Sequence, residues 1–341
     1  MRKTARTGRV DSVSIGKLFE RRILPLILIC MERMFLFMLK LKLDPSSQAF
    51  RPQLEALSSL VPVTLAEDGI LLSCSQGNDG MTVCRKGETA SITYQKTCEF
   101  FRGILVLMER CGETEFCLHE KAGFAFNGEM IDNSRNAVLT LETAKRMIQY
   151  SGLMGLDNIL LYNEETYEIP EDPYFGYLRM RYSLADIREL TDFAKEYGVT
   201  IIPCIQTLAH LAQTLRWAHH ADIKDTDDIL LCDEEKTYAL IEQMIKAWRS
   251  CVDTDIIHIG MDEAHALGLG NYLTRHGFVS RFEIMCRHLG RVVDICKKYQ
   301  FKPMMWSDMF FRICFGGDYY SDSEIDPGLL ALVPQAVKLV Y

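Results

Sequence analysis

Short alternating runs of apolar and polar residues in the first part of the chain predict β-strands. Residues 35–43 (FLFMLKLKL) alternate and end at the turn signal Asp44-Pro45. Further strands are predicted at 69–74, 81–85 and 91–94, and helices at 52–60 and from Thr97 through Met108. Residues 34–125 are therefore expected to form a small α/β domain of mixed strand order.

From Phe126 onward the pattern changes to a repeated order of strand, loop and long helix. Strands are predicted at 128–132, 158–162, 200–205, 255–260 and 303–306. Helices are predicted between them, at 141–154, 184–197, 234–250 and 281–299. Strands that alternate with crossover helices form parallel sheets, either an open doubly wound sheet or a (β/α)8 barrel.

Polar residues at the strand ends favour the (β/α)8 TIM barrel for residues 126–341. An open sheet concentrates its site at one switch point, whereas a barrel collects functional groups from the ends of many strands. The polar groups are Asp132-Asn133-Ser134-Arg135, Asn163-Glu164-Glu165, Gln206-Thr207 with His210, Asp262-Glu263 and Trp306-Ser307-Asp308. Since a complete barrel takes about 250 residues and the apolar run 337–341 is typical of a partial strand, we expect an incomplete, C-terminally truncated barrel of about five and a half strands.

The net charge, the cysteines and the N-terminal segment indicate which partners and which cellular compartment to expect for the protein. The net charge of -8 provides no basic field for a phosphate backbone, so no nucleic-acid partner is expected. The 12 cysteines show no paired spacing, which favours buried reduced thiols in a cytoplasmic protein. The apolar run 23–30 is too short to cross a membrane and no small-residue cleavage site follows it. Residues 1–33 are therefore interpreted as a non-core extension, and no oligomeric state is predicted.

Two adjacent acids, Asp262 and Glu263, follow the predicted strand at 255–260. Because successive strand side chains point to opposite faces, both carboxylates reach one substrate only if the chain turns, and Gly260 permits that turn. Many retaining glycosidases place two carboxylates about 5 Å apart on opposite sides of the sugar. Neighbours in sequence fit better a substrate whose own 2-acetamido group attacks the anomeric carbon. Glu263 would then protonate the leaving oxygen and Asp262 would hold the amide.

Three other interpretations of this segment exist. The acids can cap the following helix. The string Asp262-Glu263-Ala264-His265 resembles a helicase motif, but the sequence contains no GxxxxGK[ST] phosphate loop, which excludes that interpretation. A metal-dependent hydrolase would use His210, His258, Asp262 and His265, whereas the favoured chemistry needs neither a metal nor a cofactor.

The segment His258-Ile259-Gly260-Met261-Asp262-Glu263 resembles the HIGGDE signature of glycoside hydrolase family 20, the β-N-acetylhexosaminidases. Met261 stands where the family has a glycine. The resemblance extends from Phe126 to the C-terminus, and a small preceding α/β domain is typical of the family. It implies an exo-acting retaining hydrolase of terminal β-linked GlcNAc or GalNAc on glycans, working through an oxazolinium intermediate. The alternative is a non-catalytic carbohydrate-binding protein or inactive fragment.

The resemblance also implies roles for individual residues. Asp262 and Glu263 would be the catalytic pair and Arg135 would bind sugar hydroxyls. His210 would support the acids, and Glu164 or Glu165 would orient His210. Trp306 would form a wall of the acetamido pocket. Tyr174, Tyr177 and Trp217 would line the approach to the active site. Other parts of the family's pocket would lie beyond Tyr341, so weak or no turnover is expected from this chain alone.

Overall fold

The computed structural model describes residues 38–135, 137–320 and 324–341. These residues divide into two compact units, one of residues up to 95 and 99–121, the other of residues 96–98 and 122–341. The predicted extension at 1–33 lies outside the described residues. No helix among the described residues has both the length and the apolar character needed to cross a membrane.

The first unit is built around a six-stranded mixed sheet. Its strands are β1 Leu39–Leu43, β2 Val63–Leu65, β3 Ile70–Gln76, β4 Met81–Lys86, β5 Thr89–Tyr94 and β6 Glu115–Glu120, and its helices are α1 Arg51–Leu57 and α2 Thr97–Glu109. The sheet order is β2-β1-β3-β5-β4-β6, with β4 antiparallel to both of its neighbours. β2 and β6 were not predicted, because β2 has only three residues and β6 (EFCLHE) begins and ends on glutamate.

The prediction that the cysteines are reduced thiols is wrong for one pair, since a disulfide joins Cys84 and Cys117. The two residues lie directly opposite each other on the antiparallel strands β4 and β6, with Cα atoms 4.0 Å apart. They are 33 residues apart in sequence, so the spacing gave no sign of the pairing. No second disulfide is found among the described residues.

The second unit contains six parallel strands that neighbour one another in chain order. They are β7 Gly128–Asp132, β8 Asn158–Asn163, β9 Thr200–Ile205, β10 Ile256–His258, β11 Lys302–Trp306 and β12 Lys338–Val340. The longer helices are α3 Leu141–Leu153, α4 Leu184–Glu196, α6 Glu235–Cys251 and α8 Arg281–Lys298, and the shorter ones are α5 Ala212–Leu215, α7 Asn271–His276, α9 Asp308–Cys314 and α10 Pro327–Leu330. A doubly wound sheet reverses its strand order, whereas this sheet never does. The prediction of an incomplete (β/α)8 barrel is therefore confirmed.

Local sequence explains where the main helices begin. Ser183 and Asp186 form a reciprocal capping box that starts α4, and the Thr140 side chain accepts a hydrogen bond from the Thr143 N–H at the start of α3. β9 (TIIPCI) is buried at every position after the first, as expected for a parallel strand covered on both faces. The strand ends that carry the candidate site are thus held by a packed core.

Candidate active site

A strained turn after β10 carries the carboxylate pair. Gly260, Met261 and Glu263 all have left-handed backbone conformations, with φ of 69°, 70° and 52°. A Cβ on Gly260 would lie 2.1 Å from Gln206 Oε1, so this position requires glycine for space as well as conformation. Left-handed conformations at two non-glycine residues cost roughly 1–3 kcal/mol each and occur often at functional sites. The turn also ends β10 at His258, two residues earlier than predicted.

The Asp262 carboxylate is held by two side chains from the segment after β9. Gln206 Nε2 donates to Asp262 Oδ1 at 2.7 Å, and His210 Nε2 lies 3.1 Å from Oδ2. Burial alone would raise the pKa of Asp262, but the hydrogen bonds from His210 and Gln206 outweigh it and lower the pKa. The hydrogen bond to Asp262 in turn raises the pKa of His210. Asp262 is therefore an ionised, oriented acceptor.

Glu263 stands beside this pair but reaches further into solvent. Its Oε2 lies 3.7 Å from His210 Nε2, and 56% of its side chain is exposed. The Glu263 backbone N–H donates to Asp308 Oδ2 at 3.3 Å. Burial raises the pKa of Asp308. The turn thus presents Glu263 as an accessible carboxyl group next to a partly buried, ionised aspartate.

A continuous polar network connects Asp262 with Arg135. Gln206 Nε2 also donates to the Tyr162 hydroxyl at 3.0 Å, and that hydroxyl donates to Glu164 Oε1 at 3.0 Å. Arg135 Nη2 lies 3.6 Å from Glu164 Oε1, and its Nη1 donates to Asp132 Oδ2 at 3.0 Å. The Arg135 guanidinium lies over the Tyr162 ring, 5.1 Å from its centre. Groups from the ends of β7, β8, β9 and β10 therefore share one network.

The structure distinguishes between the two adjacent glutamates after β8. Glu164 lies in the network described above. Glu165 is fully buried, lies 3.0 Å from Arg179 Nε, and has a pKa raised to about 7 by burial. Neither glutamate makes a hydrogen bond to His210 among the contacts of the described residues, and Nε2 of His210 lies instead against the Asp262 carboxylate. After the hydrogen bond to Asp262, the charge of Glu164 also helps to raise the pKa of His210, so the role of a glutamate in supporting His210 stays a prediction.

Trp306 lies next to a second histidine at the base of the turn. Its ring is 4.6 Å from the ring of His258, which is fully buried. The Gly260 N–H donates to His258 Nδ1 at 3.1 Å, so Nε2 carries the proton of the neutral ring. Burial lowers the pKa of His258 to about 4. His258 therefore supports the turn.

The four residues of the metal-dependent alternative do not gather into one donor set. Within the described ranges, the ligand atoms of His210, His258, Asp262 and His265 do not all lie within 4.8 Å of one another. The Nδ1 lone pair of His258 is already used by the backbone. The geometry therefore gives this alternative no support.

Three residues around the carboxylate pair had no role predicted from the sequence. Tyr162, Gln206 and Asp308 are all at or just after strand ends, and that position was the one available signal. A tyrosine in an apolar strand is typical of a core, and Tyr162 is indeed buried. Their hydrogen bonds depend on contacts between different strands, which spacing in one sequence does not reveal.

The three aromatic residues expected near the approach to the site form one cluster. The rings of Tyr174 and Tyr177 are 5.8 Å apart, and the Trp217 ring lies 5.2 Å from Tyr177 and 6.4 Å from Tyr174. Tyr174 and Tyr177 are exposed. The aromatic cluster is thus a contact between the loop after β8 and the segment after β9.

The chain is similar in sequence to several known proteins. Residues 162–315 match the family model described as glycosyl hydrolase family 20, catalytic domain. A probable beta-hexosaminidase of Arthroderma benhamiae is 22% identical over 232 residues, which cover 58% of this chain and 37% of the relative. Hexosaminidase D of Bos taurus is 26% identical over 172 residues, covering 46% of this chain and 48% of the relative.

A solved structure shows the same fold. It is a family 20 exo-β-N-acetylglucosaminidase from Vibrio harveyi in complex with N-acetylglucosamine, and it matches with a TM-score of 0.64 at 14% identity. The match covers 88% of this chain and 53% of that one. The chain thus spans about half or less of the length of these three relatives.

Proposed function

We infer that this chain belongs to glycosyl hydrolase family 20, and we propose that it carries the catalytic pair of an enzyme that hydrolyses terminal β-linked N-acetylhexosamine on glycans. The reaction is exo-acting and retains the anomeric configuration. One observation carries the proposal: the turn after β10 presents an ionised, partly buried Asp262 and an accessible Glu263, whose carboxylate oxygens lie 3.1 and 3.7 Å from His210 Nε2.

The proposed mechanism uses the 2-acetamido group of the substrate as the nucleophile. Its carbonyl oxygen attacks the anomeric carbon and the glycosidic bond breaks, while Glu263 gives its proton to the leaving oxygen. This produces a cyclic oxazolinium cation. Glu263 then takes a proton from the water that opens the ring, so the carboxyl group is restored and two inversions give net retention.

Asp262 has a different task in the same mechanism. An ionised carboxylate accepts the acetamido N–H, positions the attacking carbonyl and stabilises the developing positive charge. The lowered pKa of Asp262 supports this role because it keeps the carboxylate charged. Gln206 and His210 fix its two oxygens, which leaves little reorganisation for the transition state.

Arg135 and Trp306 fit binding roles in this proposal. The Arg135 side chain is half exposed, and its planar guanidinium can donate to two neighbouring sugar hydroxyls. The indole of Trp306 offers an apolar face on which a sugar ring or acetamido methyl can pack. The proposed partner is therefore a glycan or glycoconjugate that ends in β-GlcNAc or β-GalNAc.

Hydrolysis of aryl β-N-acetylglucosaminides by the full-length protein tests the proposal. Glu263→Gln should slow substrates with poor leaving groups most, because a good leaving group needs little protonation, and Asp262→Asn should slow all of them. Glu283→Gln, an exposed glutamate on α8, is the matched control and should behave as wild type. Equal activity of Glu263→Gln and wild type on poor leaving groups would contradict the mechanism. GlcNAc binding without turnover would instead identify a carbohydrate-binding protein.

A further inference from the structure

A second polar cluster lies apart from the carboxylate network. Asp172 belongs to the loop after β8, and His219 and His220 belong to the 3-10 helix Ala218–Ile223 after β9. One ligand atom from each of the three side chains lies within 4.8 Å of the other two. We propose that Asp172, His219 and His220 bind a divalent transition metal of the zinc class, which ties these two loops together. This inference does not depend on the proposed hydrolase reaction.

The His220 ring is oriented by a backbone carbonyl so that its other nitrogen faces Asp172. Its Nδ1 lies 3.0 Å from the Thr214 carbonyl oxygen, which can only accept, so Nδ1 donates. In the neutral ring the lone pair is then on Nε2, which lies 2.7 Å from Asp172 Oδ2. Two acceptors face each other at that distance only if a proton or a cation lies between them. Metal-binding histidines almost always donate their other ring N–H to a carbonyl or carboxylate in this way.

Asp172 is fixed in position by the backbone. Its Oδ1 accepts the N–H groups of Tyr174 at 3.0 Å and Phe175 at 3.2 Å. The residue is only 5% exposed. A carboxylate held in this way needs no further ordering to serve as a ligand.

His219 completes the donor set from the solvent side. Its Nε2 lies 3.7 Å from Asp172 Oδ1, and its ring stacks on Tyr174 with centres 4.9 Å apart. In a tetrahedral site with metal–ligand bonds of about 2.0–2.1 Å, neighbouring ligand atoms are roughly 3.3 Å apart. His220 Nε2 lies 2.7 Å from Asp172 Oδ2 and His219 Nε2 lies 3.7 Å from Asp172 Oδ1, so the two N···O distances fall on either side of that value but involve different carboxylate oxygens. A bound metal would therefore require the side chains to shift until one ligand atom from each faces it.

The donor set selects the class of metal. Two imidazoles and one carboxylate suit Zn²⁺, Co²⁺, Ni²⁺ or Cu²⁺, whereas Mg²⁺ and Ca²⁺ prefer sets made only of oxygen. A cavity of about 320 Å³ borders all three residues and has room for water as a fourth ligand. Because Tyr174 stacks on His219 and lies 6.4 Å from Trp217, a bound metal would also order the aromatic cluster.

Titration of the metal-stripped full chain with zinc chloride tests the proposal. Calorimetry should show one Zn²⁺ per chain, and Co²⁺ should give the visible absorption of a tetrahedral site. His219→Gln removes a half-exposed ligand without disturbing the core, and it should weaken zinc binding at least tenfold, since removing even a supporting group costs roughly 10- to 100-fold. At a zinc concentration near the wild-type Kd, zinc should raise the Tm of wild type more than that of His219→Gln.

His119→Gln provides a matched control on another surface. His119 and His219 have side-chain exposures of 49% and 51%, and the Nε2 of His119 lies 4.0 Å from one aspartate oxygen, that of Asp79. His119 belongs to no group of three donors within the described residues, so His119→Gln should bind zinc as wild type does. The proposal fails if wild type takes up no stoichiometric zinc, or if His219→Gln binds it equally well. A proton shared between His220 and Asp172 is then the correct account.

Discussion

Replacing Gly260 by alanine should destabilise the protein far more than the same change at a second left-handed glycine. Gly316 has φ of 63° and no atom within 4 Å of the place where a Cβ would lie, whereas a Cβ on Gly260 meets Gln206 Oε1 at 2.1 Å and the Ile205 carbonyl oxygen at 2.7 Å. Both variants bear the cost of placing alanine in the left-handed region, roughly 1–2 kcal/mol. Only Gly260→Ala also forces neighbouring atoms to move.

The extra cost follows from what Gln206 holds. Displacing this side chain breaks its hydrogen bonds to Asp262 at 2.7 Å and from the Met261 N–H at 3.2 Å. A hydrogen bond to a charged group contributes about 1.5–3 kcal/mol and a neutral one about 0.5–1.5 kcal/mol. Gly260→Ala should therefore lower the free energy of unfolding by at least about 2 kcal/mol more than Gly316→Ala.

Urea denaturation of the two variants and wild type, followed by tryptophan fluorescence, measures this difference. The expected order of stability is wild type, then Gly316→Ala, then Gly260→Ala. Equal losses in the two variants would show that backbone conformation alone accounts for the effect and that Gln206 adapts without cost. The reasoning about the turn would then be wrong.

Two further predictions concern pH. His210→Gln should lower the free energy of unfolding more at pH 6 than at pH 9. The pKa of His210 is raised in the folded protein, so the histidine stabilises the fold below its unfolded pKa of about 6.5. This contribution is lost as pH rises through the folded-state pKa. Equal losses of unfolding free energy at both pH values would show that the charge of His210 does not stabilise the fold. Burial raises the pKa of Glu165 to about 7, so wild type should lose stability relative to Glu165→Gln as pH rises from about 4.3 through 7. Urea denaturation of both proteins at pH 5 and pH 8 measures this difference. A difference in stability that does not change with pH would contradict the raised pKa of Glu165.

The barrel could be predicted from sequence because its signals are local. β7 and β9 have the predicted bounds, and each long helix ends within one residue of its predicted end. The short helices α5, α7 and α10 were not predicted, because four to six residues give too little periodicity to recognise.

The candidate site was predictable only in part. The positions of Asp262, Glu263, His210 and Arg135 followed from a motif and from strand ends. The sequence did not show which of Glu164 and Glu165 belongs to the site, since that depends on the ion pair between the buried Glu165 and Arg179. The Cys84–Cys117 disulfide and the Asp172–His220 contact join positions 33 and 48 residues apart, and no local pattern marks such pairs.

Inhibition by a cyclic thiazoline mimic of the oxazolinium intermediate tests the central claim most directly. The full-length protein should bind the mimic far more tightly than it binds GlcNAc, because the mimic has the geometry of the intermediate. Asp262→Asn should lose most of that advantage, while Glu283→Gln should keep it. Binding of the mimic no tighter than GlcNAc, or equally tight binding by Asp262→Asn, would contradict substrate-assisted hydrolysis at the Asp262–Glu263 pair.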